Sequence, residues 1–287
     1  MSAVSLLFHD VYASDPGESG FESPAADRYK LSIPDFEAQL GGLVDAGVQT
    51  PFLTNAFVTS AQHDIRVPQI PDPGSRIPAV ITFDDGGESY YTAAADRLEA
   101  RGWRGHCFVT TDFIGRRGFL TAAQIRELDA RGHLIGSHSA SHPARFSTLT
   151  IDEMRREWTE SRQALEHVLG RAVTAASVPG GYFSRAVADV AAECGFRVLF
   201  TSEPTSKTSS ADGCAVIGRY TIRRGHAPDM AQRFVMASPW TRCGAWMGWN
   251  AKAIVKPLLG PSYARIADRL LATPVRAERP KTSANHG

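Results

Sequence analysis

Cysteine is scarce and widely spread in this chain: Cys107, Cys194, Cys214 and Cys243 are the only four, with no paired spacing. That excludes a disulfide-dense scaffold and a zinc-ribbon ligand set, and it points to free thiols, mostly buried, in a reducing compartment. Charge of one sign is also lacking. Thirty-one Lys and Arg stand against 30 Asp and Glu, a formal net charge of +1, so nothing argues for a nucleic-acid or anionic-membrane partner. No apolar run approaches the roughly 20 residues needed to span a bilayer. The N-terminus has neither a basic n-region nor a long apolar h-region. We therefore expect a cytoplasmic protein with no transmembrane segment and no signal peptide.

What is present is enough apolar material for a sizeable core, with 43% hydrophobic residues in 287. Strand-like and helix-like stretches alternate. Ala3 to His9, Val48 to Leu53, Ala79 to Phe83, His106 to Thr110, Leu134 to Gly136, Ala175 to Val178, Arg197 to Thr201 and Val216 to Ile222 read as strands. Between them lie helical patterns: one around Phe36, Leu40 and Leu43, then Tyr90 to Ala100, a helix opened by Thr121 and Gln124, a longer one opened by Thr150 and Glu153, and Arg185 to Cys194. The two Thr pairs have capping-box spacing. Glu203 to Gly213 reads as a polar loop, and a loop with Pro68, Pro71, Pro73 and Pro78 precedes the central strand. The β-then-α order predicts a parallel sheet, open or closed into a barrel. After Gly225 the pattern becomes helical, at Met230 to Ala237, Trp246 to Leu259 and Tyr263 to Leu271. We expect residues 1–225 to form the main domain, 226–272 a helical extension packed on it with its Trp residues in the core, and 273–287 a disordered tail.

The sequence centres on Ala79 to Glu88, an apolar strand followed at once by Asp84, Asp85, Gly86 and Gly87. Two adjacent carboxylates at the carboxyl end of a buried parallel strand repel in low dielectric. A dication relieves this when one Asp ligates it and the other acts as a base, although an Asp-Gly turn with a solvated acidic pair reads equally well from this stretch alone. His138 and His142 follow another short strand, four residues apart; on a helical turn both imidazoles would share one face and could share a metal. Two imidazoles and a carboxylate form a three-ligand catalytic set with positions left for water and substrate. His9 also ends a strand at that face.

Thr82-Phe83-Asp84-Asp85-Gly86 and His138-Ser139-Ala140-Ser141-His142 resemble the first two motifs of the polysaccharide deacetylase family (NodB-homology domain, carbohydrate esterase family 4). Gly132-His133-Leu134-Ile135-Gly136 resembles the lead into the second motif, and the similarity runs from Ser5 to Ile222. The resemblance implies an α/β fold, a distorted (β/α) barrel, and metal-dependent removal of an N-acetyl group from a sugar of a glycan, polysaccharide or glycoconjugate precursor. It implies Asp84 as general base, Asp85, His138 and His142 as ligands of a divalent metal, and the backbone of Gly180 as an oxyanion donor. His9, Pro179 and Tyr182 are expected to meet the substrate, an N-acetylated sugar or oligosaccharide. Zinc suits His₂Asp ligation, with Co, Ni, Fe and Mn also compatible.

The third motif departs from the family pattern. Ser177-Val178-Pro179-Gly180-Gly181 keeps the Pro and the Gly180 backbone but has Ser177 where the family carries an arginine beside its base. The fourth-motif Asp-x-x-Asp-Trp is absent near Thr201 to Pro204, and Val216 to Arg223 lacks the fifth-motif histidine. Arg219 is a candidate replacement charge beside Asp84, and His226 or His9 a candidate replacement acid. These losses keep two further readings open: a catalytically silent carbohydrate-binding or scaffold protein of a glycan-assembly complex, and a hydrolase of another non-peptide C–N bond.

Overall fold

The computed structural model describes residues 4–49, 77–236 and 238–259. Expectations for the rest of Val48 to Leu53, the Pro-rich loop up to Pro73, the Tyr263 to Leu271 helix and the 273–287 tail fall outside the described residues; Pro78, expected in that loop, instead lies in the central strand and pairs with Gln49. The chain divides into two units, Met1–Trp246 and Met247–Gly287.

The strands are β1 (Val4–Phe8), β2 (Val11–Tyr12), β3 (Leu31–Ser32), β4 (Val48–Gln49), β5 (Ile77–Phe83), β6 (His106–Val109), β7 (Leu134–Ser137), β8 (Ala175–Ser177), β9 (Val198–Phe200), β10 (Thr208–Ala211), β11 (Cys214–Ile217) and β12 (Tyr220–Thr221). The main sheet runs β10-β11-β9-β8-β7-β6-β5-β1-β12, with β4 beside β5. Every pair in it is parallel except β10 with β11. Between and after the strands lie α1 (Ile33–Asp45), α2 (Ala95–Glu99, entered through a π turn at Tyr90–Ala94), α3 (Ala122–Ala130), α4 (Ile151–Leu169), α5 (Arg185–Glu193), α6 (Met230–Val235) and α7 (Pro239–Leu259). This is the expected distorted (β/α) barrel. Both capping boxes form, Thr121 with Gln124 on α3 and Thr150 with Glu153 on α4.

The polar loop expected at Glu203 to Gly213 contains β10, and the single last strand expected at Val216 to Ile222 is two strands. β10 carries Thr208, Ser209 and Ser210 exposed on the sheet edge, so it has no apolar alternation to read. Its signal was the turn: Asp212 (φ 44°) and Gly213 (φ 80°) join β10 to β11 in a two-residue hairpin. β11 pairs with β9 and β12 pairs with β1, at opposite sides of the sheet, yet Gly218 and Arg219 alone separate them. This stretch closes the barrel. A Cβ at Gly218 would lie 2.5 Å from the Glu203 carbonyl oxygen, so only glycine passes the seam.

Because side chains alternate along a strand, each strand feeds two cores. Val80, Phe108, Leu134, Ala175, Val198, Phe200 and Ile217 fill the barrel interior. The intervening residues face the helices, as where Phe8 stacks on Phe83 at 5.4 Å and Phe36 meets both edge-on. Each such buried ring contributes about 1.5–3 kcal/mol relative to leaving it in water. At α6, Phe234 stacks on Tyr220, and Gln39 of α1 bonds Ala227 O and Ala231 N–H. Trp240 and Trp246 do not take the core positions expected of them: Trp240 is 87% exposed and Trp246 is also exposed. Cys107, Cys194 and Cys214 are free thiols, Cys107 and Cys214 being buried, whereas Cys243 is exposed.

Candidate active site

The last inward positions of four strands, β1, β5, β7 and β8, supply the site. Continuing the alternation of the interior residues, His9 follows β1, Asp84 follows β5, His138 follows β7, and Ser177 ends β8. Asp85 would face outward, but its backbone turns left-handed (φ 75°) and carries the carboxylate over the rim. Gly86 (φ 80°) and Gly87 complete the turn. A Cβ on Gly86 would press on Val109, and one on Gly87 would lie 1.9 Å from the buried carboxylate of Asp10. Asp10 was not singled out from sequence. It accepts the Ser19 and Ser89 hydroxyls at 2.6 and 2.7 Å and ties the N-terminal loop to the Asp84–Ser89 turn.

Asp85 Oδ1 lies 3.4 Å from both His138 Nε2 and His142 Nε2, and the three donor atoms sit within 4.8 Å of one another. Burial pushes the Asp85 carboxyl up, but the hydrogen bonds of His138 and His142 and the surrounding imidazole charge outweigh it, and its pKa falls well below 3.8. His138 Nδ1 lies 3.0 Å from the Ser177 carbonyl oxygen. A carbonyl only accepts, so Nδ1 carries a hydrogen, and loss of the other ring proton would leave the Nε2 lone pair facing the cluster. Two imidazole nitrogens and an ionised carboxylate in this arrangement fit a divalent metal such as zinc.

The histidine segment is not the helical turn expected from the four-residue spacing. It is an irregular loop in which Ser139 (φ 66°) and His142 (φ 57°) are both left-handed. A helix would have left the pair on a regular face; here two disfavoured backbone conformations bring the His142 ring back to Asp85 beside that of His138.

Asp84 is 3% exposed and Arg219 fully buried. Arg219 Nη1 and Nη2 donate to Asp84 Oδ1 and Oδ2, each at 2.7 Å, and Ser177 Oγ donates to Oδ2 at 3.0 Å. The guanidinium also bonds Ser177 Oγ, Thr82 Oγ1 and Thr201 O, and it lies over the Phe108 and Phe200 rings. Burial raises the Asp84 carboxyl, but the Arg219 charge beside it prevails and its pKa is lowered. Ser177, where a cation was missed, accepts from Arg219 and donates to Asp84.

The remaining expected residues are distributed as follows. His9 is mostly buried with its Nδ1 unpaired; burial lowers its pKa against the pull of Asp85 and Asp84, so the ring is neutral at pH 7. Pro179 and Gly180 form the tight turn directly after β8, Gly180 being left-handed (φ 63°), and Tyr182 follows with Arg145 over its ring. His226 lies after β12, where its Nδ1 accepts from Arg223 N–H at 3.4 Å, and it is not among the three donor atoms that come together around Asp85. Burial and Arg223 lower its pKa to about 4. A further group, Glu157 on α4, had no sequence signal beyond its helix; its carboxylate holds the histidine loop.

Fold and site together define a NodB-type barrel, with an acid pair and two imidazoles at the carboxyl ends of its strands. The family model for polysaccharide deacetylase matches residues 72–199. YxkH of Bacillus subtilis (strain 168), which bears the polysaccharide deacetylase name, is 27% identical over 197 residues, 68% of this chain and 67% of that protein. The peptidoglycan-N-acetylmuramic acid deacetylase PdaA of the same organism is 30% identical over 124 residues, 42% of this chain and 45% of its own length. Among solved structures, the Streptococcus pyogenes deacetylase PplD in complex with acetate superposes with a TM-score of 0.64 at 20% identity, covering 81% of this chain and 97% of that one. The stretch matched by the family model is just under half of the chain, and the chain is similar to the polysaccharide deacetylase family, with the departures at the third to fifth motifs noted above. No described helix is long and apolar enough to cross a membrane.

Proposed function

We propose that this protein is a metal-dependent carbohydrate N-deacetylase, hydrolysing the N-acetyl group of a sugar in a polysaccharide, glycan or glycoconjugate precursor. The observation that carries the reading is the pairing of a compact Asp85–His138–His142 donor set with a second carboxylate, Asp84, whose charge is fixed by Arg219. Asp85, His138 and His142 would hold the dication, zinc first among the candidates. When bound, such an ion supplies Lewis acidity and lowers the pKa of water.

The chain's own groups perform the proton chemistry. Arg219 and Ser177 fill three of the roughly four lone-pair positions of Asp84 and keep it ionised at neutral pH, leaving it one position to accept a proton from water. The oxygen adds to the acetyl carbonyl carbon, and the Gly180 N–H stabilises the developing oxyanion. Protonated Asp84 then returns the proton to the departing sugar nitrogen as the C–N bond breaks, giving acetate and a free amine. Neutral His9 is suited to a hydrogen bond with the sugar rather than to proton donation, and Pro179 and Tyr182 would form the wall beside Gly180. His226 contributes nothing in this reading. Residues 1–225 would form the catalytic body and the helical stretch that follows Gly225 its extension, and the free thiols of Cys107, Cys194 and Cys214 fit a cytoplasmic setting.

The silent carbohydrate-binding reading rests on the missing third-, fourth- and fifth-motif groups and on the Trp-containing extension; Arg219, on the link between β11 and β12, supplies the charge of the first of these. The test is acetate release from a panel of N-acetylglucosamine oligomers with and without chelator. We expect release that chelator abolishes and zinc restores. Sugar binding without chelator-sensitive acetate would favour the binding-protein reading. Release of a product other than acetate would mark hydrolysis of a different C–N bond.

A further inference from the structure

We propose that Glu157 is the positioning residue for His142, setting the affinity of the donor set for its ion. The inference rests on the reading of Asp85, His138 and His142 as metal ligands. Glu157 Oε2 accepts the N–H groups of Ala140 and Ser141, both at 2.9 Å, and Oε1 accepts the Ser141 hydroxyl at 2.6 Å. One carboxylate thus fixes the two residues lying between the left-handed Ser139 and His142.

The helix bearing Glu157 is a rigid base. The next residue, Trp158, is fully buried against the rings of Phe146 and Phe196. One turn further along, Ser161 Oγ bonds Ser137 Oγ at 2.6 Å, which in turn accepts the Ser139 N–H at 3.1 Å. Residues four apart share a helix face, so Glu157 and Ser161 clamp the two ends of one loop. From the opposite side, Thr111 and Asp112 N–H donate to Ser139 O and Ala140 O.

The two imidazoles do not depend on this clamp equally. His138 is held independently, by its N–H to Val109 O at 2.9 Å and its ring to Ser177 O. His142 has its N–H on the Ser139 hydroxyl at 3.1 Å, a contact inside the same loop. Removing the Glu157 carboxylate leaves two amides without their acceptor, and the loop can then relax toward right-handed backbone, which L residues prefer. That relaxation moves the His142 ring off Asp85. Partners that orient a metal ligand are worth about 10–100-fold in affinity.

The test uses the full chain freed of metal by chelator, titrated with zinc alone and followed by hydrogen exchange. We expect Glu157→Ala to bind zinc about 10–100-fold more weakly. Exchange of the metal-free protein should accelerate over residues 138–143 only, with an unchanged melting temperature. Glu157→Gln keeps an acceptor oxygen for the two amides and should restore most of the affinity. Should Glu157→Ala not fold, Glu157→Asp, which withdraws the carboxylate by one methylene, reads the same affinity. Wild-type zinc affinity in the Ala or Asp variant overturns the proposal, as does uniformly faster exchange that Gln does not rescue. His142→Ala separates the two readings. If it too binds zinc as wild type does, the ligand assignment itself fails; if it alone loses zinc, only the role of Glu157 fails.

Discussion

Arg219 and Asp84 lie 135 residues apart in sequence and meet through two hydrogen bonds of 2.7 Å in the barrel interior. Removing one partner of such a pair strands the other charge in low dielectric. Arg219→Ala should therefore cost about 3–5 kcal/mol of stability in urea unfolding as well as turnover. Arg219→Lys keeps a charge but not the two-pronged geometry and should recover only part of each. The uncharged pair Asp84→Asn with Arg219→Met should regain stability while staying inactive. Equal stability of wild type and Arg219→Ala would show that the pair carries no energetic weight.

Asp84→Asn separates proton transfer from ion binding. The three donor atoms exclude Asp84, so zinc affinity by calorimetry should stay near that of wild type. Acetate release should fall by roughly 10²–10⁴-fold, the range of general acid–base contributions. A parallel loss of zinc would place Asp84 among the ligands.

Acid should act in opposite directions on metal-free stability and on zinc affinity. Burial disfavours the charged form of His142, but its hydrogen bond and charge interaction with Asp85 prevail and raise its pKa above 6.5. In the metal-free protein that contribution is fully present below pH 6.5, the unfolded value, and is lost as pH rises through the folded pKa. Zinc needs the neutral ring, so its affinity should begin to fall on acidification while the pH is still above 6.5. Melting of chelator-treated wild type and His142→Ala between about pH 5.5 and 8.5 checks the first part, and zinc titration at the same pH values the second. A wild-type minus variant difference that grows toward high pH would contradict this sign.

Gly218→Ala tests the closure of the barrel. The added Cβ would meet Glu203 O at 2.5 Å and the Thr205 side chain at the same distance. Overpacking of this kind costs about 1–3 kcal/mol, read by thermal or urea unfolding. Because Arg219 is the next residue, turnover should fall by more than the unfolded fraction accounts for.

The order of strands and helices was legible because apolar runs, capping boxes and terminal glycines agreed with one another. The Asp84–Asp85 and His138–His142 motifs were legible as motifs, but the conformation that makes the histidines useful was not. Their spacing suits a helix, whereas left-handed backbone at Ser139 and His142 depends on acceptors supplied by α4, far along the chain. Arg219 was visible as an unassigned cation, yet only the alternation of inward and outward residues through β11 and β12 turns it toward Asp84. Glu157 reads as one more acid on an exposed helix face until the loop is folded over it. The β10 edge escaped notice for a simpler reason: it buries almost nothing.

The two-residue link between β11 and β12 makes the balance of charge at the heart of the molecule a matter of strand alignment. Inserting or deleting one residue between Ile217 and Tyr220 would exchange the facing of Arg219 and its neighbours, swinging a cation out toward the helices and an uncharged side chain in toward Asp84. The link at Gly218 and Arg219 therefore acts as a ruler: its length sets which residue faces the carboxylate.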